Sequence, residues 1–202
     1  MQIVPIHYSV SKPVVSFKEI EKQAYEMTSF IVTGPFNGLY NKAFAIAHCQ
    51  VSETPLAFFV VSPDVIAEKM FESQIIINPK IISSPDFRKV DTFTYPNKQT
   101  FLEPCMSFPF RKPKSIERWG NIQVKYQIKG FWGLKTVKRE LIGIASEIFQ
   151  HETDHINGKN VYFPDTKTYK WWELIGNEKS KGGNSLEEKP TEGKITIFNN
   201  IT

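Results

Sequence analysis

Residues 151 to 155 read His-Glu-Thr-Asp-His. In a helix, positions i and i+4 stand one above the other on the same face, so His151 and His155 can share one metal ion. Glu152, beside the first imidazole, can reach a water held by that ion and act as a general base. The chain has four histidines, and these two continue an apolar run. Buried imidazoles need polar partners, and a metal is a good one. The bland alternative is a pair of satisfied structural histidines. A catalytic ion needs a third protein ligand and an open position for water. By residue type His7, His48, Cys49, Cys105 and many carboxylates all qualify. Cys105 stands out within "FLEPCMSFPF" (Phe101 to Phe110), although a free cysteine is most often a small buried hydrophobe.

These side chains need elements to position them. Phe17 to Val32 is predicted to be a helix, with Ser16 as N-cap and Glu19 completing a capping box. Ile20, Ala24, Met27, Phe30 and Ile31 form its apolar stripe. "LAFFVVS" (Leu56 to Ser62), "QIIINPKII" (Gln74 to Ile82) and the alternating "NIQVKYQIKG" (Asn121 to Gly130) read as strands. Thr136 to His155 carries a helical stripe of Leu141, Ile144, Ala145, Ile148, His151 and His155, and Gly158 offers an exit. Strands around one long helix predict an α+β domain, with mixed or antiparallel strands surrounding the metal-binding helix. The domain is expected over residues 1–170. A polar tail, 171–202, is partly flexible and ends in a strand-like "KITIFN".

Composition sets bounds. The chain has 202 residues, 41% of them hydrophobic, a net charge of +4 and two cysteines. That is one domain with a real core, and no disulfide scaffold. No apolar run is long enough for a membrane span, and the first residues do not resemble a signal or transit peptide. The expected location is the cytoplasm: bacterial, or that of a host cell for a viral protein, with an organelle as a further option. The mild basic excess does not identify a specific nucleic-acid partner.

"EPCMS" (Glu103 to Ser107) followed by "QHETDHING" (Gln150 to Gly158) resembles the peptide deformylase family. That family carries G-φ-G-φ-A-A-x-Q, E-G-C-L-S and Q-H-E-x-D-H in this order, where φ is apolar. Here the first reads "AFAIAHCQ" (Ala43 to Gln50), the second carries Pro104 and Met106, and the third is intact. The resemblance spans roughly Val4 to Phe163. It implies that Cys105, His151 and His155 hold one divalent ion, with Fe²⁺ as the native metal and Zn²⁺ or Ni²⁺ able to replace it. It implies hydrolysis of the N-formyl group from the initiator methionine of nascent polypeptides, with Glu152 moving protons. The Gln50 amide and the Met106 backbone N–H would stabilise the oxyanion. The implied partners are N-formylated nascent peptides, with a transient ribosome contact.

The family's methionine pocket maps onto Phe44, Phe101, Ile144, Glu147 and Ile148, with Ala45 and Pro104 beside the substrate backbone. Five departures stand out. Ala43 and Ala45 replace glycines, His48 replaces an alanine, and Pro104 replaces a glycine before the cysteine. Glu147 places a carboxylate where the family is apolar. His48 reads as a buried neutral histidine, Cys49 as structural, and Arg118 as a partner for one of the carboxylates Glu103 and Asp154. Two other readings compete. One is a different H-E-x-x-H metallohydrolase. The other is a non-catalytic relative that binds metal and a peptide or ribosomal surface.

Overall fold

The computed structural model describes residues 10–33, 43–83, 98–108 and 111–162. The segment before Val10 (including His7), "KWWELIG", the polar tail and "KITIFN" lie outside the described residues.

The predicted first helix is α1, Phe17–Thr33. Its stripe faces inward: Ile20, Ala24 and Met27 are fully buried. The expected capping box does not form: the Glu19 N–H goes to the backbone carbonyl of Ser16, at 3.3 Å, and not to its side chain. The Glu19 carboxylate accepts the N–H of Val15, one residue before Ser16, at 3.0 Å. Then come β1 (Ala45–Ala47), a 3₁₀ turn (His48–Gln50), β2 (Phe58–Val61), the short helix α2 (Pro63–Ala67) and β3 (Ile75–Ser83). They are followed by β4 (Lys98–Glu103), β5 (Lys114–Trp119), β6 (Asn121–Gly130), β7 (Gly133–Ile142) and α3 (Ile144–Ile156).

Among the described residues the strands form two sheets. One has the order β1-β2-β3-β6-β7, and the other is the pair β4-β5. Every strand pair is antiparallel. The architecture is α+β. The larger sheet is covered on its two faces by different helices. On one face, α1 packs against Ile46, Phe58, Val60, Ile75 and Ile77. On the other, α3 packs through Ala145, Ile148, Phe149 and Ile156 against Phe59, Val61, Ile76, Val124 and Tyr126. Alternation along β2 and β3 supplies both faces, because successive strand residues point to opposite sides. Asn78 interrupts β3 at φ 49°. Its side chain takes up Val14 N–H (2.9 Å) and Val14 C=O (2.8 Å), and the β3–β6 register shifts between Ile77 and Lys80.

The helix predicted from Thr136 is shorter than expected. Residues 136–142 belong to β7, and α3 starts at Ile144. Leu141 stands three residues before Ile144, which suits a helical stripe, but it also alternates with Val137, which suits a strand. Pairing decides: Leu141 faces Ile122, and Val137 faces Tyr126, across the β6–β7 hairpin. Gly143, at φ 60°, makes the break that a residue with a side chain would resist. The helix that follows is buried around most of its circumference, as a central helix must be. Among the described residues no helix is long and apolar enough to cross a membrane.

Candidate active site

Two elements bring the chemistry together. Helix α3 carries His151, Glu152 and His155. The turn after β4 carries Cys105. Within the cluster, Cys105 Sγ lies 3.3 Å from His155 Nε2, and the two Nε2 atoms lie 3.2 Å apart. All three donor atoms fall within 4.8 Å of one another. Tetrahedral ligand atoms held about 2.0–2.3 Å from an ion sit about 3.3–3.5 Å from each other. One sulfur and two imidazoles at this separation fit a borderline-soft divalent ion. Cys49 and His48 are not in the cluster. Cys49 is a buried free thiol in the core, pushed up in pKa by burial and by Glu152. His48 Nδ1 accepts the Leu56 N–H at 3.0 Å, as a neutral ring.

A network of charges fixes the cluster. Glu103, at the end of β4, accepts from His151 Nδ1 at 2.8 Å, which turns Nε2 toward Cys105. The same carboxylate takes two bonds from Arg118, at 2.7 and 2.9 Å. Arg118 also donates to Asp154 on α3 at 2.5 Å. It therefore joins two carboxylates, one more than the sequence led us to expect. Burial alone would raise the Glu103 pKa, but Arg118 and His151 outweigh it and hold the carboxyl below its usual range. Burial would also raise the Cys105 thiol; the charges and hydrogen bonds of His155 and His151 bring it down to about 5 instead. Gln150 serves the frame. Its amide accepts from Trp119 N–H at 3.1 Å and donates to Trp119 C=O at 2.8 Å, so the helix grips the end of β5.

Glu152 is buried, and its Oε2 has no hydrogen-bond partner among the described residues. Burial is the main cause of its raised pKa, opposed by His151 and His155. The carboxylate opens onto a cavity of about 130 Å³ that also touches Cys105 and His151. Gln50 lines the same cavity. Its Oε1 is held by the Ala47 N–H (2.7 Å), and one Nε2 hydrogen goes to Ser107 Oγ (3.0 Å). A primary amide has two donors, so one remains. The Met106 N–H, at the same wall, has no acceptor among the described residues.

Phe44, Ala45, Pro104, Glu147 and Ile148 line the cavity too. Phe101 and Ile144, both predicted for the substrate pocket, are not among its lining residues. Phe101 lies within β4 opposite Ile116, and Ile144 is 47% exposed at the start of α3. Glu147 is half-buried, and its pKa is raised to about 7, first by burial and then by Glu103. Two lining residues were not anticipated, Phe108 and Arg111. The Arg111 guanidinium sits 5.4 Å from the Phe108 ring centre and 5.1 Å from that of Tyr162. A cation next to "FPF" was the one available signal, and nothing in its spacing pointed to a cavity.

This geometry agrees with comparisons to known proteins. A family model described as polypeptide deformylase matches residues 4–167. The chain belongs to the peptide deformylase family. A peptide deformylase of Brucella suis is 31% identical over 157 residues, which is 76% of this chain and 75% of that protein. One from Thermotoga maritima is 35% identical over 94 residues, 46% of this chain and 52% of its relative. The chain thus spans about half the length of the Thermotoga relatives that it matches. The crystal structure of the T. maritima deformylase superimposes with a TM-score of 0.56 at 27% identity, covering 80% of this chain and 96% of that one. The deformylase of Plasmodium falciparum gives 0.59 at 25% identity, covering 91% and 100%.

Proposed function

We propose that this protein is a metal-dependent deformylase that hydrolyses the N-formyl group of the initiator methionine of nascent polypeptides. One observation carries the reading. A buried, unpartnered carboxylate, Glu152, shares a cavity with a Cys-His-His donor cluster and a fixed amide donor.

Cys105, His151 and His155 would hold the ion, with Fe²⁺ as the expected native metal and Zn²⁺ or Ni²⁺ as substitutes. When bound, the ion supplies Lewis acidity and makes a water at the site acidic near neutral pH. Glu152, with its raised pKa, accepts the proton of the attacking water and later delivers it to the departing amine nitrogen. A C–O bond forms at the formyl carbon and the C–N bond breaks, leaving formate and a free amino terminus. The remaining Gln50 Nε2 hydrogen and the Met106 N–H donate to the carbonyl oxygen as it gains charge. Neither has to reorganise, because the Gln50 amide is already anchored by Ala47 and Ser107. Glu103 holds the His151 tautomer. Phe44 and Ile148 flank the methionine side chain, with Glu147 at the same wall and Ala45 and Pro104 beside the substrate backbone.

The test is formate release from formyl-Met-Ala-Ser by anaerobically purified, metal-analysed protein, beside a Glu152→Gln variant. The expected result is turnover in the wild type, and in the variant the same metal content with a rate lower by about 10²–10⁴. A metal-loaded wild type that releases no formate from any formyl-peptide would overturn the proposal.

A further inference from the structure

The β6–β7 hairpin holds Lys125, Lys129, Lys135, Lys138 and Arg139 against a single carboxylate, Glu140. That matches the net positive charge of the entire chain, +4. Two of these cations are paired, Lys129 with Glu21 at 3.1 Å and Arg139 with Glu72 at 3.9 Å. Lys125 and Lys138 are directly opposed across the hairpin, and Lys80 on β3 opposes Lys125 from the other side. The bulge at Asn78 sets that register.

Directly opposed residues share a face of the sheet, and neighbouring strands lie about 4.8 Å apart. The three lysines therefore make a row across three strands. All are exposed, and none forms an ion pair among the described residues. Like charges placed opposite one another destabilise a sheet. The carboxylate nearest along the strand on this face, Glu140, is held by Asn121 Nδ2 at 2.6 Å.

The row faces away from α3 and the donor cluster. The intervening residues Val124, Tyr126 and Val137 point into the core on the α3 side. Helix α1 covers β1, β2 and the first part of β3 on the lysine face, through Phe58, Val60, Ile75 and Ile77. At the hairpin tip, Phe131 and Trp132 are 90% and 94% exposed and meet edge-to-face with centroids 4.8 Å apart. The tip lies about 17 Å along β7 from Lys138.

We propose that this face binds single-stranded RNA, with Lys80, Lys125 and Lys138 on successive phosphates and Phe131 and Trp132 stacking unpaired bases. A row of unpaired ammonium groups at regular spacing complements a regularly repeated anion. Exposed aromatic rings beside it complement bases, which all have a stacking face. Such contacts carry no sequence readout. The choice of RNA over other polyanions rests on the proposed function, whose substrate is a newly synthesised chain. Docking by this face leaves the cavity open.

The test uses full-length protein and a fluorescein-labelled oligouridylate, with anisotropy read across a potassium chloride series. A Lys80→Gln/Lys125→Gln/Lys138→Gln variant should bind at least tenfold more weakly at low salt. Its log–log salt slope should fall by about 2, since each single-strand phosphate contact contributes about 0.7. Trp132→Ala should weaken binding about fivefold or more at an unchanged slope. If the triple variant fails to fold, as judged by circular dichroism, Lys125→Gln alone should lower the slope by about 0.7. Three results would overturn the inference: no RNA binding by the wild type at low salt, an unchanged slope in the lysine variants, or a lysine-dependent affinity for phosphatidylserine vesicles that exceeds that for RNA. Formate release separates the two proposals. Intact release without RNA binding sinks only this inference; RNA binding by a protein that releases no formate sinks only the deformylase reading.

Discussion

His48 should make stability depend on pH in a way that one substitution removes. The ring is 2% exposed, its Nδ1 accepts the Leu56 N–H at 3.0 Å, and it stacks on Phe58 with centroids 4.6 Å apart. Burial lowers its pKa from 6.5 to about 4. Protonation would also cost the bond to Leu56, because an imidazolium has no acceptor. The folded pKa is depressed, so between these values the unfolded chain binds the proton more readily. Stability is full above pH 6.5 and is lost as pH falls toward 4. The gap corresponds to about 3 kcal/mol in all, of which about 2.5 kcal/mol is lost by pH 4.5. His48→Asn places an amide oxygen near the Nδ1 position and does not titrate. Urea unfolding of both proteins at pH 7.5 and 4.5 gives the comparison. The variant should start less stable, from lost ring packing, but should decline by about 2.5 kcal/mol less. Contributions from the metal ligands are common to both proteins and cancel. Parallel declines would refute the assignment of His48 as a buried neutral ring.

Three other outcomes are expected. Glu103→Gln removes a buried carboxylate that serves both Arg118 and His151. It should cost about 3–5 kcal/mol in urea unfolding and lower metal affinity about 10- to 100-fold in a chelator competition. In metal-stripped protein the ultraviolet absorbance of the Cys105 thiolate should persist down to pH about 5, and Cys105→Ala should abolish both that signal and tight metal retention. Deleting residues 176–202 should leave the melting temperature and formate release unchanged, because that segment is rich in charged residues and glycine and poor in apolar ones.

Much of the fold could be read locally. The alternation of Ile122, Val124, Tyr126 and Ile128 marks β6 to the residue, and the spacing of Ile20, Ala24, Met27 and Ile31 marks α1. Local pattern failed where two periods coincide, as at Leu141. It also could not show that β4 and β5 form a separate sheet. The His-Glu-x-x-His spacing places two imidazoles by helix geometry alone. The third donor cannot be found that way, since Cys105 is 50 residues from His155 and meets it through docking of the β4–β5 pair. Its setting in "FLEPCMSFPF" drew notice, but only the family resemblance implied that it is the third ligand. The partners of Arg118, 15 and 36 residues away, were legible as a charge in need of carboxylates but not as a bridge between two. Mapping the substrate pocket by family position includes Ile144, which does not line the cavity: the helix begins there, so its side chain has no preceding turn to cover it.

The fastening of β5 to α3 has a consequence for motion. Two consecutive residues are held at once, Arg118 by Asp154 and Trp119 by Gln150 and Ser146. Arg118 also ties β5 to Glu103, two residues before Cys105. The small sheet can therefore swing away from the helix only once all these bonds are broken. Freeing a side chain of the donor cluster thus calls for a larger, cooperative opening of sheet from helix, beyond ordinary loop fraying.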